Sequence, residues 1–196
     1  RPRGLAEEAV DLVEVAYEEF PAVTDPETAL DPGTPVIHPE LGDNLTFERK
    51  LEVGEVDAAL AAADAVVETT FLFGRHTGVC LEPRAIVADW NAGEERLTAY
   101  QATQAPHMMQ NLFAMHLGIE EHQVRVLTKD VGGSFGIKVH TYADEMATVA
   151  LAKLLKRPVK FVADRIESFV TDIHARDHRV HAKIAVKQDG TITVFA

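Results

Sequence analysis

A glycine-rich segment between a predicted strand and a predicted helix places the strongest constraint on how this chain folds. The segment is Val131-Gly132-Gly133-Ser134-Phe135-Gly136-Ile137-Lys138. It follows an apolar run at 124–127 and precedes a helical pattern at 141–155. Glycine lets the backbone turn sharply and come close to a bulky group, and such loops often direct bare N–H groups at an anionic ligand. This loop therefore either binds a ligand or only satisfies backbone geometry in a tight turn.

The loop matches neither of the two common nucleotide-binding patterns. A P-loop needs a lysine followed by serine or threonine directly after its last glycine, but Gly136 precedes Ile137-Lys138-Val139. The spacing Gly-x-Gly-x-x-Gly is absent as well. A phosphate-binding loop protein and a Rossmann domain are both disfavoured.

Composition narrows the class of protein. The 196 residues are 46% hydrophobic, which is enough for a sizeable core, and the net charge of -12 argues against nucleic acid or an anionic membrane as partner. The single cysteine, Cys80, is predicted to be a buried structural thiol, and one cysteine fits a reducing compartment, so we expect a cytoplasmic protein. No stretch approaches the roughly 20 apolar residues needed to span a bilayer.

A proline-rich segment divides the chain into two predicted parts. Five of the nine prolines fall within residues 20–44, where no regular element is expected. Helices are predicted at 5–12, 54–63, 106–117, 141–155 and 164–171, and strands at 12–17, 47–53, 65–73, 80–90, 96–101, 124–127, 158–162, 180–186 and 191–195. We expect an α+β fold with mixed sheets and helices, and domains at 1–44 and 45–196.

Two polar clusters interrupt the predicted elements. Glu82-Pro83-Arg84 lies within an apolar run and indicates a strand end, a buried ion pair or the wall of a site, with ion pairing favoured. The spacing of His174, His178 and His181 would suit a metal on one helix face, but strand alternation would spread these side chains. A solvated or interface segment with ion pairs is the favoured interpretation there. Ser134 has no nucleophile-elbow motif and no assigned base.

An ordered set of motifs resembles the molybdenum hydroxylases, the xanthine dehydrogenase and aldehyde oxidase family. Within it, the chain resembles the molybdopterin-binding large subunit of the aerobic carbon monoxide dehydrogenase type. Members carry a Gly-Gly-x-Phe-Gly loop after a Thr-Gln segment, and this chain has Gly132–Gly136 after Thr103-Gln104. Supporting matches, in order, are residues 14–23, 81–85, 157–160, 164–167 and 175–178. The resemblance assigns residues 1–44 to the tail of the hammerhead-like α/β domain plus a proline-rich linker, and residues 45–196 to the first molybdopterin-binding domain.

The resemblance implies roles for particular residues. Gln104 would hydrogen-bond the apical oxo group of a molybdenum that is held by a pterin dithiolene and not by protein side chains. The backbone N–H groups of Phe135 and Gly136 would bind the oxo or dithiolene region of the cofactor, and Gly132 and Gly133 would allow its close approach. Prealigned donors of this kind stabilise charge that develops on the cofactor without reorganisation.

The resemblance also implies the reaction and its partners. A small substrate C–H is hydroxylated with water, and electrons pass to iron–sulfur and FAD groups on partner subunits, since no cysteine set here could hold a cluster. The pterin is expected in its cytosine dinucleotide form. Val139 stands where xanthine-oxidising members carry a substrate-binding glutamate, which counts against a purine.

Two further expectations concern the limits of the chain. The family's catalytic glutamate base lies in a later domain, so the chain is expected to be a fragment without a catalytic residue and inactive alone. The proline-rich segment and the acidic composition leave open a second hypothesis, a non-catalytic α/β module that binds a partner protein.

Overall fold

The computed structural model describes residues 3–196 as a mixture of helices and two sheets. The helices are α1 (Arg3–Val10), α2 (Val56–Ala61), α3 (Pro106–Leu117), α4 (Ala143–Leu155) and α5 (Arg165–Thr171). The strands are β1 (Ala65–Phe73), β2 (Ala85–Asn91), β3 (Arg96–Gln101), β4 (Val124–Leu127), β5 (Val159–Val162), β6 (His178–Val186) and β7 (Ile192–Phe195). Three short 3-10 helices are at Pro39–Leu41, Glu121–Gln123 and Ile137–Val139.

The backbone contacts divide the described chain into two compact units, residues 3–67 with 183–196 and residues 68–182. This division does not test the predicted domain boundary at residue 44, which stays a prediction. The first two residues of the predicted first domain lie outside the described part of the chain. No helix within residues 3–196 combines the length and apolarity that crossing a membrane requires.

The proline-rich segment of the first unit is irregular, as the sequence predicts, and the structure shows that it is held by side-chain hydrogen bonds. Apart from the 3-10 turn at Pro39–Leu41, residues 20–44 form no helix or strand. Asn44 connects three points of this segment, because its Oδ1 accepts from the Ile37 N–H at 2.8 Å and its Nδ2 donates to the carbonyls of Ala29 and Pro35 at 2.8 and 3.0 Å. One side chain thus replaces a regular backbone ladder.

Three of the strand predictions need correction. Residues 12–17 and 47–53 form neither helix nor strand. Their apolar side chains are exposed (84% for Leu12, 77% for Phe47), so alternation has no buried face to specify a partner. The strand predicted from Cys80 begins only at Ala85, since Arg84 before it belongs to a buried ion cluster described below.

The second unit is built on a four-stranded mixed sheet of order β4-β3-β2-β5. Strands β2 and β3 form the predicted antiparallel hairpin around Asn91, with Ile86 opposite Gln101 and Trp90 opposite Leu97. Strand β5 pairs antiparallel with β2, and β4 pairs parallel with β3. The mixture of parallel and antiparallel neighbours, with helices, confirms the predicted α+β class.

Helices α3 and α4 cover one face of this sheet and form the core with it. Burial alternates along β2 and β3 as expected for strands with one covered face. The largest fully buried apolar side chains of this core come from both layers: Ile86, Leu97, Met109, Phe113, Val124 and Val149. The core therefore fixes where β3 ends and α3 begins, which is the position of Gln104.

Local capping explains several helix boundaries. Pro106 occupies the first turn of α3, and Gly118 ends it in the left-handed region at φ 61°. At α5, Asp164 accepts from the Glu167 N–H while the Glu167 side chain accepts from the Asp164 N–H, a complete capping box.

Replacement of Phe113 by alanine tests the core. The ring is fully buried between helix and sheet, so Phe113→Ala is expected to lower the free energy of unfolding by about 3–5 kcal/mol. The measurement is guanidinium unfolding of the 196-residue chain followed by Trp90 fluorescence. Met115→Ala on the same helix is the control, because this side chain is 61% exposed and its loss is expected to cost about 0.5 kcal/mol or less.

Candidate functional site

The structure brings Gln104 and the glycine loop into direct contact. Gln104 Oε1 accepts a hydrogen bond from the Ser134 hydroxyl and another, 3.3 Å long, from the Gly136 N–H. The predicted cofactor-binding residues, which are distant in sequence, therefore share one surface. Because the amide oxygen faces the loop, the amide NH2 of Gln104 is the donor left for another group.

Backbone anchoring fixes the Thr103-Gln104 segment against the end of the loop. The carbonyl of Lys138 accepts from the Thr103 hydroxyl at 2.8 Å and from the Gln104 N–H at 3.2 Å. The same hydroxyl accepts from the Ala105 N–H at 3.1 Å. Thr103 is buried, so these bonds hold the turn between β3 and α3 in place.

The loop uses its glycines for two separate reasons. Gly133 and Gly136 have φ values of 93° and 88°, in the left-handed region that favours glycine. Gly132 instead needs room, since a Cβ there would lie 2.6 Å from the Glu82 Cβ. The Glu82 carboxylate accepts a hydrogen bond from the Gly132 N–H.

Phe135 lies at the exposed tip of this loop. Its side chain is 78% exposed and its φ is 49°, an uncommon conformation for a residue with a side chain. Within residues 3–196 its N–H has no hydrogen-bond partner. An outward phenyl, a bare N–H and a strained backbone at one position are typical of a site that contacts a ligand.

Ser134 supports the loop and has no base beside it. Its hydroxyl donates to Gln104 and accepts from the Lys138 N–H at 3.1 Å, and its carbonyl accepts from the Ile137 N–H at 2.9 Å. The Cys80 thiol also donates to that carbonyl, at 3.3 Å. Cys80 is 4% exposed, which confirms the predicted buried structural thiol.

Arg84 forms the buried ion pair that the sequence predicts, but not with Glu82. Its guanidinium makes a bidentate pair with Asp144, both bonds 2.7 Å long, and a third bond of 2.7 Å with Asp172. Glu145 Oε1 lies 3.4 Å from the same guanidinium. Glu82 lies instead 3.5 Å from the Lys138 ammonium, whose side chain is 1% exposed.

Burial and charge shift the proton affinities in this cluster. Burial raises the pKa of Glu145 to about 7, although the Arg84 charge opposes the shift, and Asp144 adds to it. Gln101 Nε2 donates to Glu145 Oε2 at 2.8 Å. Burial lowers the pKa of Arg84, but the bonds to Asp144 and Asp172 outweigh this effect and leave it raised, so Arg84 stays charged.

One member of the predicted histidine cluster, His181, pairs with a carboxylate. His181 Nε2 lies 2.7 Å from Glu68 Oε1, and its Nδ1 is 3.1 Å from the Thr70 hydroxyl. Across the described part of the chain, no three His, Cys, Asp or Glu side chains are grouped so that they could hold a metal ion.

The donors at the loop fit a cofactor that brings its own metal ligands. The donors at this exposed surface include the Gln104 NH2 group and the N–H of Phe135, which donate hydrogen bonds and do not ligate metals. The glycine backbone permits a close approach by a bulky group. The residues present therefore fit a pterin-held metal.

Comparison with known proteins assigns the family. Residues 37–196 match the model of the molybdopterin cofactor-binding domain. The nicotine 6-hydroxylase large subunit of Paenarthrobacter nicotinovorans is 35% identical over 97% of this chain and 23% of its own length. The carbon monoxide dehydrogenase large chain of Afipia carboxidovorans is 32% identical over 98% of this chain and 25% of its own. Quinoline 2-oxidoreductase from Pseudomonas putida 86 superposes with a TM-score of 0.90 at 34% identity, over 99% of this chain and 25% of that structure.

This chain belongs to the molybdopterin cofactor-binding domain family. The resemblance to the molybdenum hydroxylases, and to the carbon monoxide dehydrogenase large subunit among them, is confirmed. The chain spans about a quarter of the length of these relatives.

Sequence reasoning missed several residues that support the site. No recognised sequence motif includes Tyr142, Glu145 or Gly78. A Cβ on Gly78 would lie 2.9 Å from the Phe135 Cβ, so a glycine there allows the segment between β1 and β2 to come this close to the loop. Asp144 and Glu145 read as ordinary acidic residues in the first turn of α4, and nothing local shows that they face Arg84.

Replacement of Gly132 by alanine tests the packing under the loop. The added Cβ would overlap Glu82, so Gly132→Ala is expected to cost about 1–3 kcal/mol of unfolding free energy and to speed hydrogen exchange in residues 131–139. Gly93→Ala is the matched control, because its Cβ would meet only Asn91 Oδ1 at 3.5 Å. Equal costs at both glycines would contradict the described packing.

The raised pKa of Glu145 predicts a pH-dependent stability. Since the folded pKa of about 7 exceeds the ordinary 4.5, the contribution of this group is fully present below pH 4.5 and is lost as the pH rises through 7. Between pH 5 and pH 8, wild type should lose about 2 kcal/mol of unfolding free energy relative to Glu145→Gln.

Guanidinium unfolding at the two pH values measures this difference. Glu94→Gln, a change to an exposed carboxylate in the β2–β3 turn, is the control and should track wild type. A Glu145→Gln variant that loses stability in parallel with wild type would contradict the assignment.

Proposed function

We propose that this chain forms one wall of the cofactor pocket in a molybdenum-dependent hydroxylase. The observation that carries the proposal is the contact of Gln104 with the loop at Ser134 and Gly136, in a chain that belongs to the molybdopterin cofactor-binding domain family. When bound, the molybdenum-pterin group supplies two-electron oxidation: a substrate C–H and water become C–OH, two electrons and two protons.

The chain's own part is to bind and orient this cofactor. Gln104 would donate through its NH2 group to the molybdenum end of the cofactor, because Ser134 and Gly136 hold its oxygen. The Phe135 N–H would donate beside it, and the Gly136 N–H would be shared with Gln104. Gly132 and Gly133 would let the backbone approach. Such preset donors act without reorganisation as charge develops.

The substrate class follows from the relatives and from one position in the loop. Relatives named for nicotine, quinoline and carbon monoxide support a small substrate, and we propose an aldehyde, an N-heterocycle or a similar molecule. Val139 provides no carboxylate after the loop, which argues against a purine that needs one. We propose the cytosine dinucleotide form of the pterin, and electron transfer to iron–sulfur and FAD partners, on family grounds.

A second candidate function rests on the exposed apolar side chains of residues 12–53. Tyr17, Phe20 and Leu51 are 83%, 81% and 79% exposed, and apolar surface of this kind is typical of an interface. In a hydroxylase this surface would contact the remainder of the same subunit. In a non-catalytic interaction module it would bind another protein, and the protein would contain no molybdenum.

Cofactor analysis and one variant test the proposal. The full-length protein that carries this chain is expected to contain molybdenum and pterin, and to reduce an artificial electron acceptor with aldehydes or N-heterocycles. Gln104→Ala should lower kcat/KM on the order of 100-fold by removing one preset donor.

Gln188→Ala is the matched control, since this glutamine is exposed in the β6–β7 turn. A protein free of molybdenum and pterin would favour the interaction module. Equal kcat/KM in both variants would remove Gln104 from the pocket.

A further inference from the structure

We propose that Tyr142, supported by the guanidinium of Arg84, is a positioning residue that sets the conformation of the glycine loop from behind. This role would hold the hydrogen-bond donors of the loop in place, and its consequence for the cofactor rests on the proposed function. Neither residue is among the donors assigned to the cofactor. A continuous series of contacts leads from the buried Arg84 charge through Tyr142 to the loop backbone.

The first contact joins Tyr142 to the end of the loop. Its hydroxyl donates to the Ile137 carbonyl at 2.8 Å, and the Ile173 N–H reaches the same hydroxyl at 3.4 Å. Tyr142 is 7% exposed and packs with Ile137 and Cys80 in a small apolar cluster. A buried tyrosine in two hydrogen bonds has little freedom to move.

The second contact fixes the ring of Tyr142. The Arg84 guanidinium lies 3.7 Å from the ring centroid, within cation–π distance. The guanidinium donates hydrogen bonds to Asp144 and Asp172, and the Thr171 hydroxyl accepts a further one from it at 3.0 Å. These bonds fix the position of the guanidinium beside the ring. Arginine is suited to this position because its planar fork can pair two carboxylates and stack on a ring at once.

The third step carries the position of Ile137 into the site. The Ile137 N–H donates to the Ser134 carbonyl, and the Ser134 hydroxyl donates to Gln104. The next residue, Lys138, accepts from the Gln104 N–H through its carbonyl. A shift of the Ile137 carbonyl would therefore move both the loop N–H groups and Gln104, which are the donors assigned to the cofactor.

Tyr142→Phe in the full-length protein is the sharpest test. The variant keeps the ring and its stacking on Arg84 but removes the hydroxyl that donates to Ile137. Hydrogen–deuterium exchange over residues 131–139 is expected to become roughly two- to tenfold faster, as for the loss of one net hydrogen bond. Tyr17→Phe is the control, because its ring is 83% exposed and exchange in the loop should stay at the wild-type rate.

A second readout links the loop to the metal. In Tyr142→Phe, molybdenum content should match wild type while the electron paramagnetic resonance spectrum of the molybdenum centre shifts, because the donors move but remain. Unchanged loop exchange in Tyr142→Phe would overturn the positioning role. Faster exchange with an unshifted spectrum would support the clamp on the loop but overturn the placement of the loop at the metal.

Arg84→Lys separates the charge from the geometry. Lysine keeps the positive charge but cannot pair with Asp144 and Asp172 through a planar fork while stacking on the ring. We expect hydrogen exchange in residues 131–139 to become faster than in wild type, as in Tyr142→Phe. Wild-type exchange rates in Arg84→Lys would show that charge alone suffices and would overturn the role assigned to the guanidinium fork.

Discussion

The buried guanidinium of Arg84 is the interaction on which the second unit depends. Removing a charge from water is costly unless carboxylates and hydrogen bonds compensate for it. Here Asp144 at the start of α4 and Asp172 just after α5 supply that compensation, and the side chain of Arg84 is 1% exposed. One cation thus joins the entry of β2 to two helices. The loss of either aspartate would leave the buried guanidinium with fewer partners to compensate for its desolvation.

Near this cluster, backbone carbonyls accept several of the hydrogen bonds that hold the candidate site together. The carbonyl of Lys138 accepts from Thr103 and Gln104, and the carbonyl of Ser134 accepts from Ile137 and Cys80. With these acceptors satisfied, the Phe135 ring is left exposed at the tip of the loop, beside the Gln104 NH2 group. A surface of fixed donors suits a cofactor on which negative charge develops, since nothing has to reorient during the reaction.

Much of the second unit could be predicted from sequence because its signals are local. The strand at 96–101 and the helix at 106–117 have the predicted limits, since alternation in β3 and the Pro106 and Gly118 signals of α3 act within a few residues. The strands predicted at 12–17 and 47–53 were wrong for the complementary reason. Alternation defines a strand only where a neighbouring strand and a covered face exist, and these segments have exposed apolar side chains.

The sequence by itself determined the limits of β3 and α3, the presence of a glycine loop between β4 and α4, and the family to which the chain belongs. These follow from short-range backbone preferences and from an ordered set of motifs. Only the tertiary structure decided that Arg84 pairs with Asp144 and Asp172, which are 60 and 88 residues away, and that Tyr142 holds the loop. Such pairings depend on how packed elements converge, and residue type alone does not select one buried carboxylate among 31 acidic residues.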